Sequence, residues 1–269
     1  MIPLRDNIPS RSFPFVNTAL LMATTVAFIV QLAAGAHQDE LIVKYGMIPA
    51  FVTGKVHSAE SLESQIKLKI DTPIEDPRPE FLDQLPSIPP IFTLLSCVFL
   101  HGGWMHFLGN MLFLFIFGDN VEDSYGHIPY LLFYLGCGIL ASVSHLVTDP
   151  SSTVPTIGAS GAIAGVVGAY FYLCPHAKVQ ALIPIFIFIQ IVVLPAPLFL
   201  GFWFILQLLQ GFAMAGSGVA GVAWWAHIGG FISGDLLSVL LIRVHQIREP
   251  VESRYPFTDR TFSRISRRF

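Results

Sequence analysis

The sequence predicts an all-α membrane protein that folds as a bundle of six transmembrane helices. Hydrophobic residues make up 53% of the 269 residues and charged residues only 12%, whereas soluble domains carry about 25% charged residues. The mean hydropathy of +0.64 agrees with this balance. Several apolar runs also approach the roughly 20 residues that cross the hydrocarbon core of a bilayer. Most of the chain is therefore expected to lie in lipid.

The first span is expected at Phe13–Ala36, after a polar cytoplasmic segment at residues 1–12. A secretory signal peptide is the alternative for this run, because Ala34, Gly35 and Ala36 resemble a cleavage site. The apolar run is longer than that of an ordinary signal peptide, which favours a span.

A long polar loop, His37–Pro90, follows the first span and ends in a proline-rich run. A short amphipathic helix is expected at Ser58–Ile70, and the proline-rich part should be extended. A solvated connection is the simpler interpretation of this loop. A loop with a role in function is the alternative.

The middle of the chain predicts three further spans. Ile91–His101 is apolar but too short to cross, so it is interpreted as a segment that dips into the interface. A polar turn is expected at Asp119–His127, between the second and third spans. The three spans are expected at Trp104–Gly118, Ile128–Val147 and Ile157–Leu173.

The run Val179–Gly216 is long enough to cross the membrane more than once, but prolines interrupt it. Val179–Leu194 is therefore expected to be interfacial or extended. The fifth span is then Ala196–Ala215 and the sixth is Val219–Ile242. Residues 13–242 form one membrane domain, followed by an arginine-rich cytoplasmic tail at residues 243–269.

An even number of spans is favoured over seven by the distribution of charge and polar groups. Arg5, Arg11 and the tail should all be cytoplasmic by the positive-inside bias. The second, fourth and sixth spans then begin at the outer side. Polar groups near the start of these spans then lie at one depth in the membrane. A seventh span would reverse the last helix and put His227 near the opposite face.

A serine and a histidine at this depth predict nucleophilic catalysis. Ser160 lies in the small-residue run Thr156–Gly168, and His227 lies in the sixth span. Serine is a weak nucleophile until a base takes its proton, and a Ser–His pair can suffice without a carboxylate. A hydrogen-bonded core residue is the alternative for the histidine taken alone.

Donors for a developing oxyanion are also present. His106 and Asn110 are four residues apart and share one face of the second helix. The backbone N–H groups of Ser160 and Gly161 lie at a helix start, where such groups are unpaired. The alternative for Asn110 is a hydrogen bond that joins two helices.

Small residues predict that the fourth and sixth helices approach closely. Gly161 and Gly165 form one GxxxG pair, and Gly230 and Gly234 form another. Each pair lies just C-terminal to its proposed catalytic residue, and such pairs let helix backbones pack together in membranes. Close approach would bring Ser160 within hydrogen-bond reach of His227.

Three motifs together resemble the rhomboid intramembrane serine proteases. They are HxxxN at His106–Asn110, GASG at Gly158–Gly161 and AHIGG at Ala226–Gly230, and they occur in the family's order. The resemblance covers about Phe13–Ile242. It implies a rhomboid-like six-helix bundle around a water-filled cavity that opens to the outside.

The resemblance also implies roles for residues and partners. Ser160 would be the nucleophile and His227 the base, with His106, Asn110 and the backbone at Ser160 as the oxyanion hole. Substrates would be single-pass membrane proteins cut in or near the bilayer, without metal or cofactor. The fifth helix and the loop before the sixth resemble a lateral gate and cap, and Glu122 resembles an acid that follows the family's second helix.

Two departures from the family pattern concern how the site is held. Phe92 and Thr93 stand where a Trp-Arg pair often anchors the first loop. Ala164 stands where an aromatic residue often stacks on the catalytic histidine. Trp224 or Trp225 is the expected replacement.

Three other function classes are less consistent with these features. An inactive relative that binds client helices is the main alternative, although such relatives usually lack the serine or the histidine. A metalloprotease would need an HExxH-type ligand set, and a transporter would not need all three motifs. Nucleic-acid binding would need a basic patch with interleaved aromatic residues. The chain is expected to be an integral protein of a bacterial cytoplasmic membrane, with both termini cytoplasmic.

Overall fold

A computed structural model describes residues 1–56, 88–185, 188–214 and 223–244. The described residues form a helical bundle, which confirms the predicted fold class. The helix expected at Ser58–Ile70 and the tail beyond residue 244 lie outside the described residues. Among the described residues, the six longest helices are α1 (Phe15–Ala33), α2 (Trp104–Tyr125), α3 (His127–Thr148), α4 (Ser160–Leu173), α5 (Ala196–Met214) and α6 (Trp224–Val244).

Four of these helices, α1, α3, α5 and α6, are long and apolar enough to cross a membrane. Helix α2 forms a fifth candidate together with the segment Pro90–Phe99, although the two are bent by 81°. Helix α4 is shorter, with 14 residues, and most of it is buried at the centre of the bundle. The outer surface exposes large apolar side chains, as a surface in contact with lipid requires: Met22, Phe115, Leu132, Leu209 and Leu236.

Helix α2 continues two turns further than the sequence predicted. The turn expected at Asp119–His127 is helical as far as Tyr125, and the helix ends at Gly126, which has a φ of +81°. The polar residues of this stretch do not end the helix because they are buried or half-buried and have partners within the fold. Ser10 donates a hydrogen bond to the Asp119 side chain at 2.6 Å.

Glu122 joins the end of α2 to the start of α1. Its carboxylate accepts hydrogen bonds from the backbone N–H groups of Val16 and Asn17, at 2.9 and 2.7 Å. The first N–H groups of a helix lack intrahelical partners, and a negative charge there is stabilising. The acid that the sequence placed after the second helix therefore lies within its last turn and fixes α1.

The dipping segment expected at Ile91–His101 is a chain of three short helices: Pro90–Phe92, Thr93–Ser96 and Cys97–Phe99. Gln31 of α1 holds its end. The Gln31 amide donates to the His101 carbonyl at 2.6 Å and accepts from the His101 N–H at 3.1 Å. This reciprocal pair anchors the loop in the absence of a Trp-Arg pair.

A three-stranded antiparallel sheet packs against α2 and α5. Its strands are β1 (Ile2–Asp6), β2 (Lys178–Ile185) and β3 (Phe188–Pro195), in the order β1-β2-β3. The extended conformation expected for Val179–Leu194 is confirmed at the residues that the structure describes, 179–185 and 188–194. The pairing with the N-terminal segment, in which Ile2 faces Leu182, was not predicted.

Short segments before α4 fix the path into that helix. Helices Gln38–Tyr45 and Pro49–Val52 follow α1. Met47 and Thr156 then exchange two backbone hydrogen bonds at 3.0 and 2.8 Å. These bonds position the residues that lead into α4 at Ser160.

Glycines allow α4 and α6 to pack backbone against backbone. A Cβ atom on Gly230 would overlap the carbonyl oxygen of Gly161, and one on Gly234 would overlap that of Gly165. The two predicted GxxxG pairs therefore face each other. Any larger side chain at either position would push the two helices apart.

Candidate active site

A cavity of about 1180 Å³ lies among the first turns of α2, α4 and α6 and the end of α3. All five residues that the sequence proposed as catalytic line this cavity. The cavity is also lined by Gly158, Trp203, Gln207 and Trp224, among others. The structure thus brings together polar groups from three helices. The two that are furthest apart in the sequence, His106 and His227, are separated by 121 positions.

Ser160 and His227 form a hydrogen bond in which Oγ and Nε2 are 2.7 Å apart. Ser160 is the first residue of α4, and His227 lies in the first turn of α6. The glycine contacts between these helices make this separation possible. His227 is only 7% exposed, so its ring is shielded from solvent.

The other ring nitrogen of His227 has a partner that the sequence analysis missed. Nδ1 lies 2.6 Å from Oε1 of Gln207, a buried residue of α5. The available signal was a polar side chain in an apolar span. Gln210 gives the same signal three residues later, so the sequence could not choose between them.

Aromatic rings surround the imidazole of His227 in place of the aromatic side chain that Ala164 lacks. The ring centroids of Trp224 and Trp203 lie 6.0 and 6.1 Å from that of His227. Trp225 instead packs edge-on against Phe212. One of the two expected tryptophans is therefore next to the histidine, and α5 supplies another.

The turn before Ser160 depends on glycine. Gly158 has a φ of +124°, which residues with side chains rarely adopt. Its N–H donates to the Cys97 carbonyl at 2.9 Å, which ties the turn to the dipping segment. The imidazole of His106 packs against its Cα.

His106 and Asn110 face the cavity from α2. Nδ1 of His106 accepts a long hydrogen bond of 3.4 Å from the Gly102 N–H, so the proton is expected on Nε2, which points toward the Gly158 turn. The Asn110 amide nitrogen is buried and has no hydrogen-bond partner within the described part of the chain. Both groups can donate to an atom that occupies the cavity.

The start of α4 offers backbone donors as well. No side chain caps this helix. The first N–H groups of a helix have no intrahelical partners, and the helix dipole favours negative charge there. Ser160 and Gly161 belong to this turn.

Comparison with known proteins agrees with these features. The sequence model of the Rhomboid domain matches residues 90–244, more than half of the chain. The chain is 38% identical over 82 residues to the "Putative rhomboid protease YdcA" of Bacillus subtilis (30% of this chain and 41% of that protein). It is 36% identical over 150 residues to the "Rhomboid protease GluP" of the same organism (56% and 26%).

A plant protein matches a longer stretch. The "RHOMBOID-like protein 2" of Arabidopsis thaliana is 33% identical over 180 residues, which is 64% of this chain and 49% of that protein. The matched stretch thus spans less than half the length of each of these three relatives.

Proposed function

Because this chain belongs to the rhomboid family, we propose that it is an intramembrane serine endopeptidase that cuts transmembrane proteins with a Ser160–His227 dyad. The observation that carries the proposal is the 2.7 Å hydrogen bond between Oγ and Nε2. A nucleophile and a base at this distance, in a cavity lined by polar donors, form the minimal constellation for acyl transfer.

The reaction divides into acylation and deacylation. Nε2 of His227 takes the proton of Ser160 while Oγ bonds to the carbonyl carbon of the scissile peptide, giving a tetrahedral oxyanion. Collapse of this intermediate breaks the C–N bond, and the leaving amine takes the proton from Nε2. Water then attacks the acyl-serine with His227 as base, which releases the carboxylic acid and restores Oγ–H.

The proposed oxyanion hole combines side-chain and backbone donors. Asn110 contributes the unpartnered amide N–H, and His106 contributes Nε2–H. The N–H groups of Ser160 and Gly161 add the positive end of the α4 dipole. Donors that are fixed before the reaction stabilise the developing charge without reorganisation, which makes this term large.

We propose single-pass membrane proteins as substrates. Within the bundle, α5 shows much exposed apolar surface, and its Trp203 meets Phe113 of α2 at a centroid distance of 6.2 Å. Separation of these two rings would open the cavity toward lipid. An extended segment near the end of a substrate helix could then reach Ser160 from the side.

The proposed orientation places both termini in the cytoplasm and the cavity at the outer side. Arg11 pairs with Asp123 in the last turn of α2, at 3.7 Å, whereas the cavity lies at the first turn of α2. By the positive-inside bias, the arginine end faces the cytoplasm. We propose a bacterial cytoplasmic membrane as the location; relatives from Bacillus subtilis agree with it, although Arabidopsis thaliana also has relatives of this chain.

Cleavage of a reporter tests the proposal. The purified protein is mixed in liposomes with a single-pass reporter whose ends carry distinct tags. Wild type should cut the reporter, Ser160→Ala should not, and Ser151→Ala, a change at an exposed loop serine, should match wild type. Cleavage by Ser160→Ala would refute the nucleophile. Wild type that captures the reporter without cutting it would point to the alternative, an inactive relative that binds client helices.

A further inference from the structure

Gln207 is a buried polar residue on a helix that otherwise turns apolar side chains outward. It is 6% exposed, whereas its neighbours Ile205 and Leu209 are 52% and 60% exposed. An amide in an apolar span is costly unless it is hydrogen-bonded. Gln207 therefore requires a partner, and its oxygen finds one in His227.

The direction of this hydrogen bond determines the state of the imidazole. An amide oxygen only accepts, so the 2.6 Å contact requires the proton on Nδ1 of His227. In a neutral ring the proton on one nitrogen leaves a lone pair on the other. That lone pair, on Nε2, lies 2.7 Å from Oγ of Ser160 and can accept its proton.

We propose that Gln207 is the positioning residue of the Ser160–His227 dyad, and that α5 must lie against α6 for the base to work. The inference rests on the proposed function. Gln207 takes the position that a carboxylate occupies in a Ser–His–Asp triad, but it carries no charge. It fixes the tautomer and the ring plane and does not form an ion pair with the imidazolium.

The packing of α5 makes the contact of Gln207 with His227 depend on where α5 lies relative to α6. The start of α5 is held firmly, because Ala196, Phe199 and Leu200 are fully or almost fully buried. One turn before Gln207, Phe204 stacks on Phe231 of α6 at a centroid distance of 4.4 Å. Beyond Gln207, Leu209 and Phe212 are exposed.

Tilting of α5 about its fixed start would withdraw Gln207 from His227. Opening for a substrate would thus remove the hydrogen bond that selects the active tautomer, and closure would restore it. The same helix would control entry to the cavity and the competence of the base. This coupling keeps a catalytic serine less reactive while the site is open.

The test compares three variants of the full-length protein in liposomes. Gln207→Leu removes the acceptor and replaces it with an apolar side chain of similar size. Gln207→Glu keeps an acceptor oxygen at the same place. Gln210→Leu is the matched control, because Gln210 lies on the same helix and is exposed. Each is assayed for kcat and KM on the reporter and for its rate of inactivation by a serine-directed phosphonate.

Gln207→Leu should lower kcat and the inactivation rate together by roughly 10- to 100-fold, with KM unchanged, because a buried N–H loses its acceptor. Gln207→Glu should recover most of both rates. Gln210→Leu should behave as wild type. If Gln207 only supported the fold, Gln207→Leu would lower the amount of folded protein. The protein that did fold would then keep the kcat and the inactivation rate of wild type.

Equal kcat and inactivation rates in Gln207→Leu and wild type would overturn the inference while leaving the dyad intact. Cleavage by Ser160→Ala would overturn the proposed function itself, so the two failures are distinct. Should Gln207→Leu not fold, Gln207→Met removes the acceptor with a similar length, and the same comparison applies.

Discussion

Gly158 and the imidazole of His106 are in direct contact. A Cβ atom on Gly158 would lie 2.6 Å from both Cε1 and Nε2 of His106, and 3.5 Å from Oγ of Ser160. The first glycine of the GASG motif thus has two independent requirements. Its φ of +124° excludes most side chains, and the histidine leaves no room for one.

Gly158→Ala should therefore reduce cleavage strongly while the bundle still folds. The added methyl group would push His106 away and shift Ser160 at the start of α4, and a displacement near 1 Å can cost about 100-fold in rate. The measurement is kcat on the reporter. Gly136→Ala is the control, since a Cβ there meets nothing within 4 Å; equal activity of the two variants would contradict this account of the turn.

Asn110→Asp tests the proposed oxyanion hole with almost no change in size. The carboxylate lacks the N–H donors of the amide, so stabilisation of the tetrahedral intermediate should fall. We expect kcat to drop by about 10²- to 10³-fold, as for other oxyanion-hole donors, with little change in KM. A drop in stability with normal kcat would show instead that Asn110 joins helices.

Gly234→Ala tests the contact between α4 and α6. The new methyl group would overlap the backbone of Gly165 and force the helices apart. We expect the free energy of unfolding to fall by about 1–3 kcal/mol, the usual cost of overpacking. Gly136→Ala should be neutral or stabilising, because alanine favours helix. Thermal melting in detergent distinguishes the two, and an unchanged melting temperature for Gly234→Ala would contradict the packing.

Asp6 of β1 should make the stability of the N-terminal strand depend on pH. Burial raises its pKa from 3.8 to about 7, with a further contribution from Asp119, although Tyr170 donates a hydrogen bond to it. An acid whose pKa is raised on folding binds more protons when folded, so stability should fall as pH rises from about 4 to about 7 and then level off.

Melting temperatures at about pH 5 and about pH 8 check this expectation. Wild type should lose stability between these values, and Asp6→Asn should lose less, because the amide cannot ionise. Other titrating groups are common to both proteins and cancel in the difference. Identical losses in the two proteins would mean that Asp6 is not the group responsible.

Local patterns in the sequence identified the features that depend on residue spacing. The length and apolar character of the runs predicted the spans, and glycines four apart predicted the contact of α4 with α6. The same glycines predicted that Ser160 and His227 approach each other, and Oγ of Ser160 lies 2.7 Å from Nε2 of His227. Their catalytic roles remain predictions.

Features that depend on distant partners were not predictable in the same way. The helical end of α2 looked like a turn because Asp119 and Glu122 are acidic, and only their partners near the N-terminus explain why the helix continues through them. The pairing of Ile2–Asp6 with β2 joins segments more than 170 residues apart. Gln207 became distinguishable from Gln210 only when α5 was placed against α6.

Covalent labelling of the serine tests the central claim most directly. A serine-directed phosphonate is allowed to react with the protein in liposomes, and mass spectrometry of its peptides locates the adduct. The account predicts an adduct on Ser160 in wild type, none in Ser160→Ala, and much slower labelling in His227→Ala. An adduct on another serine, or labelling of Ser160→Ala at the wild-type rate, would contradict it.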